Sequence, residues 1–445
     1  MDIPFTSKWH IKDKQVSSLD DARRELNEDL SVLSYEAFGD PDPCISLTTE
    51  RRIYRRVKEL ERKVRESEGR ALAPFDTLVL RDIKKNTEMA RAYMEFTSGK
   101  TWVGSFISGL YGNSSYSKLL VAANKDNFPH EKVDEYNKAI HFMRSRQVDS
   151  ETLLRSQEPR FVGLRAELKE LRDRNKAIIE RYLARANIAS DISKDDHLLE
   201  FSPGSGFSFW QNPDMTFLDP DRIVCYQRRD GKGFAFCDAM IKLRLLHEFG
   251  GHGLQYQRSK LTMPRGMAVE DEDFFQPVHS VFAEGTATAL EDVALRSMRR
   301  SKKRWGLSPE DLKIALVEKE SYVHRKLPAS LDGLFDMLES REDTTKRYPE
   351  KCKRTALARL SRVTGVKRYG VDFGLLDTLS LDDTLERLRY FFGQQRYQPL
   401  VRKMRKAGLK DDMIIAAIST GWWCDPEAQE EFIFKLLVPE MKKAA

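Results

Sequence analysis

The sequence predicts a mainly α chain, with a small β-hairpin or sheet edge next to one helix near its middle. Three observations predict this. Apolar residues recur at steps of three and four over long stretches, as at Ile53, Val57, Leu60 and Val64. After Phe201 the texture changes to Gly, Pro, Asp and aromatics. Just past that region, LLHEFGGHGLQ (Leu245 to Gln255) sets two of the chain's 8 histidines, a glutamate and three glycines into a helix-like run.

The chain of 445 residues is long enough for two or three domains, or for one large helical body with a deep cleft. It divides by texture into a helical N-terminal region (1–200), a core with the hairpin and two candidate metal helices (201–300), and a helical C-terminal region (301–445). At 40% hydrophobic and 32% charged it reads as a soluble globular protein. The net charge of +6 is too small and too dispersed to imply nucleic acid. No apolar run approaches the ~18 residues of a membrane span, so no membrane partner is expected. The start, MDIPFTSKWHIKDKQ, has no charged-then-apolar signal pattern, and a cytoplasmic location is expected. The 5 cysteines are scattered and never in a CxxC spacing, which predicts reduced, buried thiols.

Residues 1–47 read as mixed, ending in the Pro-rich GDPDPC. TTERRIYRRVKELERKVRESEG follows as a helix with possible caps at Thr48 and Thr49. Its basic residues from Arg51 to Arg65 admit a nucleic-acid reading, but acids interleave with them, as on a solvated face with i,i+4 ion pairs. A further helix is expected from Asp76 to Phe96, then a Gly/Ser-rich break from Gly104 to Ser117. Helices resume near Lys132 to Arg146 and from Pro159 to Arg185. Ile223 to Gln227 and Gly233 to Cys237 look like strands around the turn signal Asp230-Gly231. The histidine helix begins near Asp238. From Pro277 the pattern is mostly helical, with an irregular loop around residues 341–351.

His247 and His252 are five apart. On a regular α-helix that spacing separates them by about 140°, too far for both imidazoles to reach one ion. A π turn closes i to i+5 and would bring them together, and Gly250 and Gly251 leave the backbone room to bulge. A catalytic zinc site wants three protein ligands with a fourth position open. FAEGTATALEDVAL supplies Glu284 from a second amphipathic stretch. Glu248, directly after the first histidine, is placed to take a proton from a zinc-activated water as it attacks a carbonyl. Glu291, two turns past Glu284, can accept the outer N–H of a ligand histidine, with Asp292 as the alternative.

At these residues the sequence resembles the gluzincin zinc peptidases. HEFGGH (His247 to His252) matches the HExxGH form of dipeptidyl peptidase III, whose helix carries one extra residue. AEGTATALE (Ala283 to Glu291) is similar to the EGxAxxxE stretch of tubulin tyrosine carboxypeptidases and their bacterial relatives. Those use HExxTH, so Gly251 departs from them. SGLYGNSSYSKLLVAANKD (Ser108 to Asp126) resembles an LYG segment of the same carboxypeptidases, and Gly253-Leu254-Gln255 is similar to the GHxLQ ending of larger helical gluzincins. The resemblance implies a helical gluzincin-type metallopeptidase with a sheet edge beside the zinc. It implies one Zn2+ per chain on His247, His252 and Glu284, with Glu248 as general base. Nothing past about residue 300 matches, so substrate-binding residues do not transfer.

An oxyanion donor is also needed. LRYFFGQQRYQPLVRK offers Arg389, Tyr390, Arg396 and Tyr397, with Tyr397 the first choice and His324 the second. Arg389, and Arg228 with Arg229 at the hairpin, are candidates to hold a substrate carboxylate. The function expected is a zinc-dependent exopeptidase, with a carboxypeptidase acting on peptide or protein C-termini ranked first. A catalytically inactive zinc-binding interaction protein on a peptidase scaffold is the alternative, and a retained Glu248 argues against it. A nucleic-acid binder, resting only on Arg51 to Arg65, is the third reading.

Overall fold

The structure is a computed structural model. It describes residues 9–38, 47–97, 103–112, 199–201, 216–218, 225–227, 234–236, 246–253, 276–321, 381–421 and 423–444, with a few isolated positions between them. These residues are predominantly helical, in line with the mainly α expectation. Among them no helix is long and apolar enough to cross a membrane. Strand β1 (Leu199–Phe201) pairs in parallel with β2 (Thr216–Leu218). Strand β3 (Cys225–Gln227) pairs antiparallel with β4 (Phe234–Phe236), Tyr226 opposite Ala235. The expected helix at 132–146, that at 159–185 apart from the helical Glu170, the Asp230-Gly231 turn and the 341–351 loop lie outside the described residues.

Three helices form an N-terminal bundle: α1 (Lys14–Phe38), α2 (Leu47–Ser67) and α3 (Pro74–Thr97). The α2 stripe of Ile53, Val57, Leu60 and Val64 is buried in it, each side chain contributing about 1.5–3 kcal/mol. The basic residues of α2 meet carboxylates: Lys63 pairs with Glu59 at 2.8 Å, Arg62 with Glu66, and Arg56 with Asp29 of α1 at 2.8 Å.

Helix α1 corrects the reading of residues 1–47 as mixed. Its buried stripe of Val16, Leu19, Leu26 and Leu30 is interrupted by polar Asp20, Arg23 and Asn27, which are buried too. Arg23 pairs with Asp20, and with Asp82 of α3 at 2.7 Å. A buried charge persists only when paired in this way. The other oxygen of Asp82 accepts the Asp425 backbone N–H at 2.8 Å, which ties the bundle to the C-terminal segment. Burial pushes the Asp82 carboxyl up to about 6, with the Arg23 charge pulling the other way. Trp9, Phe75 and Trp423 gather around Phe432 at the same junction. Cys424 lies there as well, a free buried thiol, as expected of the cysteines. Burial, helped by Asp82, pushes that thiol up to about 12.

The expected Gly/Ser break also needs correcting. Residues Val103–Tyr111 form helix α4, packed on α3. A side chain at Gly109 would collide with Ala92, so the glycine serves a close helix crossing rather than a turn. The break in helicity comes at Gly112, whose φ of 106° is left-handed.

The second core is built around α6 (Gln276–Arg300), counting the histidine helix Leu246–Gly253 as α5. Every residue of α6 from Val281 to Leu290 is buried. On one side lies α5, and on another α9 (Leu381–Lys406). Short helices α7 (Lys302–Trp305) and α8 (Pro309–Ser321) follow α6. Gly285 and Gly393 meet where α6 crosses α9: a Cβ on Gly285 would stand 2.8 Å from the Gly393 Cα and 2.5 Å from the Tyr397 ring. The Tyr111 ring at the end of α4 stacks on Phe392 of α9, centroids 4.2 Å apart. The amino-terminal LYG segment is thereby joined to the helix that flanks the candidate site.

Candidate metal centre

Residues Leu246–Gly253 are wound as a π-helix. A π turn closes over five residues, so His247 and His252 stand one above the other. Their rings are 4.9 Å apart between centroids and nearly perpendicular, at 81°. Both are buried.

Gly251 is what lets this turn lie against α6. A Cβ there would sit 2.5 Å from the Ala287 Cβ and 2.6 Å from its Cα. Real side chains do not approach a backbone so closely, so only glycine fits. Glu284 is one turn before Ala287 on the same face of α6. Its Oε2 lies 3.2 Å from His247 Nε2 and 3.7 Å from His252 Nε2. One ligand atom from each of the three residues falls within 4.8 Å of the others, close enough to hold a metal ion.

The protonation states suit that use. His247 Nδ1 is 2.9 Å from Glu291 Oε1. A carboxylate only accepts, so Nδ1 carries a proton, and Nε2 is the nitrogen turned toward Glu284 and His252. Burial pushes His252 down to about 4, although the Glu284 charge pulls it up. Its ring is therefore neutral at physiological pH, as a ligand must be.

The structure brings together His247, His252, Glu284 and Glu291. Asp292, the alternative to Glu291, pairs instead with Lys319 at 2.9 Å. Glu248 lies on the same π turn, and its side chain is outside the described set. Tyr397, the first choice as oxyanion donor, is 1% exposed, packs its ring on Gly285 and accepts a hydrogen bond from Gln429 Nε2 at 3.1 Å. It is built into the helix crossing. Seven residues earlier on α9, Tyr390 holds its ring 6.3 Å from that of His247, stacked at 24°. The sequence offers both tyrosines, but only the crossing point of α9 on α6 decides which one flanks the candidate ligands. Arg389 is on α9 with its side chain outside the described set, and His324 and Arg228 lie outside the described residues.

Sequence reasoning missed Lys319 altogether. It carries no motif, and only the docking of α8 on α6 brings it to Glu291, 2.8 Å away.

No protein-family model matches the chain, and neither a curated protein nor a solved structure matches it.

Proposed function

We propose that the chain is a zinc-dependent peptidase that cuts peptides from an end, with the C-terminus as the preferred end. The observation that carries this reading is the triad: two imidazoles from one π turn and a carboxylate from the crossing helix. Two nitrogens and one oxygen form a donor set suited to zinc with a fourth position open. Ligand bonds of about 2.1 Å in a tetrahedron put donor atoms about 3.4 Å apart. The 3.2 and 3.7 Å separations bracket that value. The chemistry available from zinc at this position is polarisation of the scissile carbonyl and a lowered pKa for an attacking water.

The chain's own residues do the remainder. Glu248, adjacent to ligand His247, takes the proton from water as its oxygen bonds to the carbonyl carbon. It returns that proton to the amine nitrogen as the C–N bond breaks. Glu291 holds the His247 ring in one tautomer and plane. Tyr390 is the residue whose place beside His247 fits a donor to the developing oxyanion. An extended substrate would pair with the β3–β4 edge through main-chain hydrogen bonds, with Arg228 and Arg389 the candidates for a terminal carboxylate.

The test pairs metal analysis of the purified chain with mass spectrometry of a peptide library. One zinc per chain and release of single residues or short fragments from one terminus are expected. Zinc bound, with no cleavage of any peptide, would replace this reading with the interaction protein on a peptidase scaffold. Tyr390→Phe is expected to lower kcat by about 10²–10³-fold with zinc content unchanged. Tyr397→Phe should instead cost about 1–2 kcal/mol of stability, by leaving the buried Gln429 Nε2–H without its acceptor, and leave kcat near that of the parent chain. Equal kcat losses for the two variants would remove the assignment to Tyr390.

A further inference from the structure

Lys319, near the end of α8, is a charged side chain only 13% exposed, and its partners among the described residues all lie on α6. Its Nζ lies 2.8 Å from Glu291 Oε2, 2.9 Å from Asp292 Oδ1 and 3.2 Å from the Thr288 carbonyl oxygen. An ammonium has three hydrogens, and each has an acceptor here. Glu291 is also the carboxylate whose other oxygen meets His247 Nδ1 at 2.9 Å. A continuous chain of polar contacts therefore runs from Lys319 through Glu291 to a metal-ligand ring, and that ring faces Glu284 at 3.2 Å.

Resting on the metal reading above, and going beyond it, we propose that Lys319 is a positioning residue for the metal centre, clamping Glu291 so that His247 presents Nε2 in one fixed direction. A glutamate held by one hydrogen bond to an imidazole can still rotate about its side-chain bonds. A second, charge-assisted contact on its other oxygen fixes the carboxylate plane. Lys319 does not serve by attracting the ion, since a positive charge repels a cation. Glu291 and Asp292 together outweigh it in charge, so the cluster stays net negative beside the site. Burying an ammonium is costly, and docking of α8 alone is more easily met by an apolar residue. The clamp gives the charge a reason to be there.

The measurement is zinc affinity of the full chain, by competition with a chromophoric chelator, with thermal melting to confirm folding. Glu291→Gln is expected to weaken zinc by about 10–100-fold, and Lys319→Met by about tenfold. Lys319→Arg, which keeps the charge and the donors, should recover most of the loss. In the Glu291→Gln background, Lys319→Met should change affinity less than about twofold, because no carboxylate remains to be clamped. Lys319→Gln keeps a donor without the charge and is the variant to use if methionine does not fold; it should weaken zinc by at least about threefold. Parent-like affinity in Lys319→Met, or in Lys319→Gln where methionine does not fold, would overturn the clamp. So would a further tenfold loss in the Glu291→Gln background, since Lys319 would then act only by docking α8. A parent chain that binds no zinc would instead defeat the metal reading itself.

Discussion

Glu248→Gln is expected to keep one zinc per chain and to lose about 10²–10⁴-fold in kcat for peptide hydrolysis. The substitution is close to isosteric, and Glu248 is not one of the three ligand residues, so the triad of His247, His252 and Glu284 is left as it stands. What is lost is a base able to take a proton and return it. The expected signature is a split: metal content and melting temperature like the parent, KM little changed, and kcat reduced at every pH. Glu284→Gln gives the complementary result. There the metal ligand is weakened, zinc is lost to chelators more readily, and activity falls with metal content. A Glu248→Gln chain that hydrolyses peptides at the parental rate would remove Glu248 from the chemistry even with zinc in place.

The centre was largely legible because its parts are local or periodic. The five-residue histidine spacing makes sense only on a π turn, and Leu246–Gly253 is one. Glu291 follows Glu284 by two turns of a single helix, so helical geometry alone predicts that both face the same neighbour. The apolar stripe of α2 is equally plain.

Elsewhere the local pattern and the tertiary context diverge. Helix α1 is hidden because Asp20, Arg23 and Asn27 occupy stripe positions, and the burial of the Arg23–Asp20 pair is explained only by Asp82 on another helix. Helix α4 was hidden by Gly104, Ser105, Ser108 and Gly109, a composition that reads as a loop unless a neighbour such as Ala92 needs the room. Nothing in the sequence sets Tyr390 above Tyr397 or singles out Lys319, for one common reason. Each takes its role from where two distant helices cross, and no window of sequence contains that information.

Gly251 carries the second large effect, and the structure changes the reason for its presence. From the sequence, glycine serves to let the helix bulge. In the fold, it also lets α5 rest directly on α6 at Ala287. Gly251→Ala is therefore expected to damage the metal site more than the fold. The added methyl meets the Ala287 Cβ at 2.5 Å and its Cα at 2.6 Å, and the latter is backbone of a fully buried stretch that does not yield. Relief comes by lifting α5 away from α6 by about 1 Å. That lift moves both histidines away from Glu284, and disturbing the positioning of metal ligands costs about 10–100-fold in metal affinity. Zinc affinity should fall by about that factor, while the melting temperature, set mainly by the two helical cores, falls by a few degrees. Ala287→Gly in the same chain relieves the clash between the two methyl groups but leaves the new methyl pressed on the α6 backbone, so it should restore only part of the affinity. Full recovery would mean that the methyl–methyl clash is the whole cost and that the backbones can part without disturbing the ligands. Parental zinc affinity in Gly251→Ala alone would show that the close approach of α5 to α6 does not set the metal geometry.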